Sequence, residues 1–212
     1  MRNFEFPYFS ENIQSFWRRW HISLMTWLRD YVYIPLGGSR GTKTQTLRNT
    51  LVVWTVSGLW HGANWTFVCW GLYHALLLMV YRQLRWKLLC PAHLSGFVTF
   101  FLVVAGWVIF RSETMGEAIG YLSRMADPAL YSISMNAHRL QCLMSFWLLP
   151  MSAIAVMTLC EWRHRHHQHP LQFAADTLLM RRSFLRYGVY IGLTMVTIAL
   201  SGSQSEFIYF QF

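Results

Sequence analysis

The sequence has few charged residues for its length. Only 13% of its 212 residues are Asp, Glu, Lys or Arg, whereas a soluble domain of this size usually carries about a quarter. Hydrophobic residues make up 54% of the chain and aromatic residues 17%. A composition this poor in charge excludes an ordinary soluble domain and predicts a membrane protein.

The sequence also lacks the patterns of a disulfide framework, a zinc site or a signal peptide. No two of its cysteines form a Cys-x-x-Cys pair, and all lie in or beside apolar segments: Cys69, Cys90, Cys142 and Cys160. We therefore expect them to act as small hydrophobic residues. The beginning of the chain, MRNFEFPYFSEN, has no apolar core. Membrane insertion must then depend on later segments, or on a preceding part of the protein.

Acidic residues are scarcer than basic ones, nine against eighteen, which gives a net charge of +9. The basic residues form short clusters between apolar runs, and this distribution suits helix ends beside anionic lipid headgroups. Lipid is therefore the expected partner, and nucleic acid is not. By the positive-inside rule, the basic loop 161–186 is predicted to be cytoplasmic, with the loop 111–139 on the opposite side of the membrane.

Long segments without charge predict an all-α, polytopic membrane protein. Four such segments are bounded by charges: 49–81, 88–110, 140–160 and 187–205. A membrane-spanning helix needs about 20 residues, so each of the last three fits one crossing. The first is too long for one crossing and too short for two. We expect it to break near 58–64, where Ser57, Gly58, Gly62 and Asn64 weaken a helix.

A different kind of helix is predicted over 13–34. Its aromatic and aliphatic residues recur at helical spacing with arginines between them, which indicates a helix lying at the membrane interface. A basic polar loop, SRGTKTQTLR, follows. Five basic residues in this region could hold the phosphates of a cytoplasmic donor, although attraction to lipid headgroups is the simpler interpretation: Arg18, Arg19, Arg40, Lys43 and Arg48.

The stretch SGLWHGANWTF places His61 in the expected break. Irregular backbone at membrane depth survives only when it is buried in protein or lines a wet cavity, so we expect a cavity that contains His61. Ionisable groups are costly at this depth and mark functional sites. Gly58 and Gly62 let a ligand approach the backbone, and Asn64 offers an amide donor. Burial is expected to keep the ring uncharged, as a general base requires.

The other histidines are weaker candidates for a functional site. His21 lies at the edge of the apolar face of the 13–34 helix, where a water-facing ring and a site role are equally compatible with the pattern. His21 and His61 on facing elements could also ligate haem, but no recognisable ligand spacing accompanies them. His74 is expected to point away from His61 and to be structural. The HRHHQH tract at 164–169 suits a solvated loop better than a metal site, so we predict no bound metal or cofactor.

Two long motifs carry a family resemblance. FWRRWHISLMTWLRDYVYIPLGG, followed by SGLWHGANWTFVCWGLYHALLL, resembles the membrane-bound O-acyltransferase (MBOAT) family, in particular its bacterial alginate O-acetyltransferase-like branch. AGWVIFRSETMGEAI and the terminal FIYFQF are also similar to that branch. The resemblance implies a multi-helix funnel with the WHG histidine, here His61, as the catalytic residue. His21 in RRWHIS matches the second histidine. We take Trp60, Gly62 and Asn64 as substrate-binding residues.

The resemblance also implies an activity and a setting. An acyl group, here acetyl, would pass from a cytoplasmic thioester, acetyl-CoA or an acyl carrier, towards alginate or another envelope glycan, with a periplasmic acyltransferase as partner. The protein would then be a multi-pass protein of the bacterial inner membrane. His61 could act as a general base or form an acyl-histidine. Family members are longer, so 1–212 is expected to be the C-terminal part of the membrane domain. The alternative is a catalytically incomplete fragment that serves as a scaffold or translocation subunit.

Overall fold

A computed structural model of the chain describes residues 2–83, 92–131, 141, 144, 147–163 and 182–200. Within these ranges the chain is helical and has no β-strand, which confirms the all-α prediction. Contacts divide the chain into two compact units, Met1–Ile133 and Ser134–Phe212.

The first unit contains the residues singled out as a site. Its α-helices are α1 (Ile13–Arg19), α2 (Ile22–Leu28), α3 (Lys43–His61), α4 (Trp65–Gln83), α5 (Ala92–Arg111) and α6 (Met115–Ala126). In the second unit the described helices are α7 (Leu148–Arg163) and α8 (Ser183–Leu200).

The predicted helix over 13–34 is interrupted. Asn12 caps the start of α1 by accepting a hydrogen bond from the Ser15 amide at 2.8 Å. Trp20 then adopts an extended conformation, and His21 a left-handed one with φ 46° and ψ 55°, before α2 begins. A non-glycine residue pays steric strain in this conformation, so tertiary contacts must hold the bend. A π-helical turn, Arg29–Tyr33, continues α2.

Two helices, α3 and α4, occupy the 49–81 segment, and the break between them is narrower than the predicted one. The α3 helix starts at Lys43, where Thr42 and Gln45 form a reciprocal capping box, and it continues through Gly58 to His61. Only residues 62–64 interrupt the helices, and Gly62 has φ 150°, which favours glycine because it lacks a Cβ.

Gly58 serves helix packing and does not break the helix. A Cβ on Gly58 would overlap the carbonyl oxygen of Phe67, and one on Gly71 would overlap that of Trp54. The backbones of α3 and α4 therefore approach each other closely at Gly58 and Gly71, where no side chain lies between them. Arg82, at the far end of α4, donates to the Thr50 hydroxyl at 3.3 Å, so the two helices form an antiparallel hairpin.

The α5 helix matches the predicted span at 88–110. Among the described residues, its segment Leu94–Arg111 is the one helix that is both long and apolar enough to cross a membrane. The hairpin helices are less apolar because they bury polar side chains, including Asn49, Ser57 and His74. The other predicted crossings, in part outside the described residues, stay predictions.

The α6 helix lies within 111–139, where the sequence predicted a loop. Thr114 caps this helix by accepting a hydrogen bond from the Glu117 amide at 3.2 Å. Ala118 is fully buried, whereas Ile119 and Tyr121 are exposed. Apolar residues at helical spacing between Met115 and Met125 were a usable signal, but the surrounding charges obscured it.

We predict that Gly58→Ala and Gly71→Ala destabilise the protein. Each added methyl group meets backbone of the facing helix, which cannot rotate away as a side chain can, so the hairpin must separate. Overpacking of this kind costs about 1–3 kcal/mol. Thermal unfolding in detergent measures the effect. Gly120→Ala is the matched control, because nothing lies within 4 Å of its Cβ position; equal unfolding midpoints for all three variants would contradict the prediction.

Candidate functional site

His61 lies in an aromatic enclosure at the end of α3. The residue is buried, with 8% of its surface exposed. Three ring contacts have centroid distances of 4.8 Å to Trp60, 5.2 Å to Trp70 and 4.9 Å to Phe110. The contacting rings come from α3, α4 and α5, so three helices hold one imidazole. Interiors of this kind pack at nearly crystalline density, which limits how far the ring can move.

Gly62 makes this position possible. Its amide donates to the Leu59 carbonyl at 3.2 Å, which closes the last turn of α3 directly after His61. The backbone then turns at φ 150°, and Gly62 is itself buried. A side chain here would be strained by the backbone conformation, so Gly62 has a structural function. Its predicted contact with substrate stays a prediction.

Asn64 connects the break to a second turn of the chain. Its Oδ1 accepts a hydrogen bond from the Thr66 amide at 3.2 Å, and its Nδ2 donates to the Glu113 carbonyl at 3.0 Å. The Glu113 amide in turn donates to the Glu117 carboxylate at 2.9 Å. The Asn64 side chain, predicted to bind substrate, therefore already caps α4 and ties it to the α5–α6 turn.

His21 and His61 are brought together around Trp60. The Trp60 ring lies 6.0 Å from the His21 ring and 4.8 Å from the His61 ring, both edge-on, and the indole is 49% exposed. His21 Nδ1 is buried and has no hydrogen-bond partner among the described residues.

His74 is nearer to this group than the sequence suggested. It is 1% exposed, and its ring contacts Trp17 at 4.8 Å, Trp54 at 5.6 Å and Trp70 at 5.1 Å. Trp70 also contacts His61. The angular argument from a single helix missed this relation, because the two histidines are linked by the packing of separate helices.

A basic cavity of about 490 Å³ is lined in part by Trp17 and Trp54. Its other lining residues come from the first four helices and the π-helical turn: Gln14, Arg18, Ile22, Met25, Thr26, Arg29, Tyr33, Thr50, Val53, Leu78 and Arg82. This volume is typical of small-molecule sites. His61 is not among the lining residues, so the predicted cavity around His61 stays a prediction.

Of the three arginines that line this cavity, Arg29 is neutralised by a neighbouring carboxylate. Arg29 pairs with Asp30 at 2.7 Å, and its hydrogen bond holds the pKa of that carboxyl below its usual range. Asp30 is therefore ionised at neutral pH and offsets the charge of Arg29. Arg18 and Arg82 have no ion-pair partner in the described residues. Of the five basic residues proposed from sequence, Arg18 alone lines the cavity.

Metal binding finds no support in the described part of the chain. No group of three or more His, Cys, Asp or Glu side chains there could hold a metal ion. Several sequence predictions fall outside the described residues: Cys90, Cys142, the histidines at 164–169 and the terminal FIYFQF.

The comparisons with known proteins identify the class. The sequence model of the membrane-bound O-acyltransferase family, MBOAT, matches residues 2–88, which include both histidine motifs and the break. The chain belongs to this family, as the motifs predicted, and it is a membrane protein.

Individual relatives narrow the comparison. The probable alginate O-acetylase AlgI of Azotobacter vinelandii is 53% identical over 122 residues, covering 56% of this chain and 24% of that protein. The AlgI protein of Pseudomonas putida is 36% identical over 232 residues, covering all of this chain and 46% of that protein. A peptidoglycan O-acetyltransferase of Helicobacter pylori is 41% identical over 128 residues, covering 58% of this chain and 24% of that protein. The chain thus spans less than half the length of these relatives.

We predict that Asn64→Asp loosens both turns that Asn64 joins. Aspartate keeps the acceptor for the Thr66 amide but loses the donor to the Glu113 carbonyl. Losing one net hydrogen bond, about 1 kcal/mol, corresponds to roughly fivefold faster hydrogen exchange. Mass spectrometry should show this in peptides covering 62–66 and 112–117. Glu113→Ala, which retains the carbonyl, is the control, and unchanged exchange at 112–117 in Asn64→Asp contradicts the link.

Proposed function

We propose that the protein containing this chain is a membrane O-acyltransferase that moves an acetyl group from a cytoplasmic thioester towards alginate or another cell-envelope glycan. The observation that carries the proposal is the enclosure of His61 at a break between two helices. Several relatives support the reaction class, since they are named alginate O-acetylase and peptidoglycan O-acetyltransferase.

His61 is suited to remove a proton from an attacking hydroxyl. Trp70 and Phe110 give its ring an apolar wall, and apolar surroundings favour the uncharged imidazole that a general base requires. As the acceptor oxygen bonds to the thioester carbonyl, its proton passes to His61, and the thiolate leaves. The alternative, in which His61 attacks first and carries the acyl group, uses the same ring position.

Trp60 and His21 are proposed to guide the acceptor. Trp60 is half-exposed and contacts both histidines, so a hydroxyl-bearing substrate that approaches His61 can stack on its indole. The His21 ring, which faces the same indole, can orient the acceptor or stabilise charge that develops during transfer.

The basic cavity is proposed to receive the donor. Acetyl-CoA and acyl carrier thioesters both bear phosphate on a long flexible arm. Arg18 and Arg82, which have no ion-pair partner among the described residues, supply positive charge. Guanidinium groups bind phosphate with two hydrogen bonds. Trp17 and Trp54 form an apolar part of the lining, and both also contact His74.

The proposed setting is the inner membrane of a bacterium, with several crossings. The long apolar segment of α5 and the family relation support a membrane location. The acceptor is proposed to be an envelope polysaccharide, either directly or through a periplasmic acyltransferase that receives the group first. Co-purification from detergent tests for that partner.

We predict that His61→Ala in the full-length protein lowers acetyl transfer by at least about 100-fold, because a positioned general base contributes about 10²–10⁴-fold. Acetyl content of the envelope glycan, measured by mass spectrometry, reports transfer, and immunoblotting of membranes reports abundance. Leu76→Ala, at an exposed position on α4, should behave as wild type. Near-normal acetylation by His61→Ala would reject the assigned role and favour the scaffold function.

We also predict that Arg18→Gln and Arg82→Gln raise the KM for acetyl-CoA. Each removes one charge-assisted contact to phosphate, and at a partly solvated site the loss should be roughly fivefold to tenfold. Initial rates in membranes at varied acetyl-CoA measure the change. Arg40→Gln is the control, since Arg40 does not line the cavity. An unchanged donor KM in both variants places the donor elsewhere.

A further inference from the structure

The proposed mechanism leaves one buried histidine unused. His74 is almost completely buried, and its Nδ1 has no hydrogen-bond partner among the described residues. The same is true of the indole N–H groups of Trp17 and Trp70, whose rings contact it. A buried polar group without a partner costs about 1–3 kcal/mol, so three such groups in mutual contact require an explanation.

Trp70 provides one connection from His74 to the catalytic ring. It meets His74 at 5.1 Å with an interplanar angle of 75°, and His61 at 5.2 Å with an angle of 89°. Each contact is edge-to-face, a favourable arrangement for aromatic pairs. The orientation of the Trp70 indole therefore determines the shape of one wall of the His61 enclosure.

The α5 helix provides a second connection. A Cβ on Gly106 would lie 2.6 Å from Nε2 of His74, so the helix backbone passes directly against the imidazole. Phe110, one turn further along the same face, contacts His61 at 4.9 Å. Tyr73 fixes the register between the helices, because its hydroxyl donates to the Leu102 carbonyl at 2.8 Å.

We propose that His74 is a positioning residue for His61, with its imidazole nitrogens fixing the indole of Trp70 and the approach of α5. The inference rests on the proposed acyl transfer. An indole N–H can only donate, whereas a neutral imidazole offers one acceptor nitrogen. Since Trp17 and Trp70 both contact the ring, either can supply the donor. The structure holds these groups in contact without that bond; forming it selects one indole orientation, which a purely apolar side chain cannot do.

Two substitutions separate the nitrogens from the shape of the ring. His74→Phe keeps an aromatic ring and removes both nitrogens, whereas His74→Asn keeps a polar atom near the position of Nδ1. In the full-length protein we expect kcat to fall by on the order of 10-fold to 100-fold in His74→Phe, because displacing a catalytic group by about 1 Å costs up to about 10²-fold. The KM for acetyl-CoA and the membrane abundance should stay unchanged. His74→Asn should recover most of the lost rate.

A third variant tests the same contact from the other helix. Gly106→Ala places a methyl group against Nε2, so it should lower kcat in the same way even if His74→Phe fails to fold. Gly96→Ala on the same helix is its control, because the nearest atom to that Cβ position is the Ser10 carbonyl oxygen at 3.8 Å. It should retain wild-type transfer.

Reactivity of His61 gives a readout that does not depend on transfer. Diethyl pyrocarbonate modifies accessible neutral imidazoles, and peptide mass spectrometry quantifies the product at residue 61. We expect faster modification in His74→Phe and Gly106→Ala, and a wild-type rate in His74→Asn and Gly96→Ala. Equal kcat and equal reactivity for the Phe and Asn variants overturn the inference. The two proposals can fail separately. If the proposed function is wrong, His61→Ala retains transfer. The rate at which residue 61 is modified in the His74 variants then still decides whether His74 positions His61.

Discussion

The close approach of α3 and α4 is the constraint on which the rest of the site depends. Gly58 and Gly71 meet backbone of the facing helix directly, so the hairpin closes to a distance that no side chain at these positions would permit. At this distance Trp54 and Trp70 pack together and enclose His74. The close contact between α3 and α4 also buries polar residues of both helices. These helices are therefore less apolar than α5.

The remaining elements hold the open end of this hairpin in place. Asn64 anchors the break to the α5–α6 turn through the Glu113 carbonyl, and Phe110 from the same region closes the enclosure of His61. At the junction of α1 and α2, the backbone of His21 is strained. This bend turns α2 away from α1 and places the His21 ring against Trp60. Strain of this kind is retained where the surroundings over-determine a conformation, which is typical of functional sites.

Much of this arrangement can be predicted from the sequence, and each successful prediction has a physical reason. Scarcity of charge and segment length predicted helices and the α5 span, and the clustered helix-weakening residues predicted the break before Asn64. Periodicity alone could not reveal the bend at His21, because the aromatic residues keep their helical spacing on both sides of it. The prediction that Gly58 helps to break the helix was wrong, since a glycine that breaks a helix and one that packs two helices look identical in a sequence.

The sequence by itself determined the family, the helical class and the identity of His61 as the candidate catalytic residue, because local motifs and hydrophobic length encode all three. The tertiary structure alone decided which rings surround His61, that Asn64 is engaged with another turn, and that His74 shares Trp70 with the site. These relations join residues on different helices. They arise from close packing and from the pairing of buried polar groups, neither of which leaves a periodic signal along the chain.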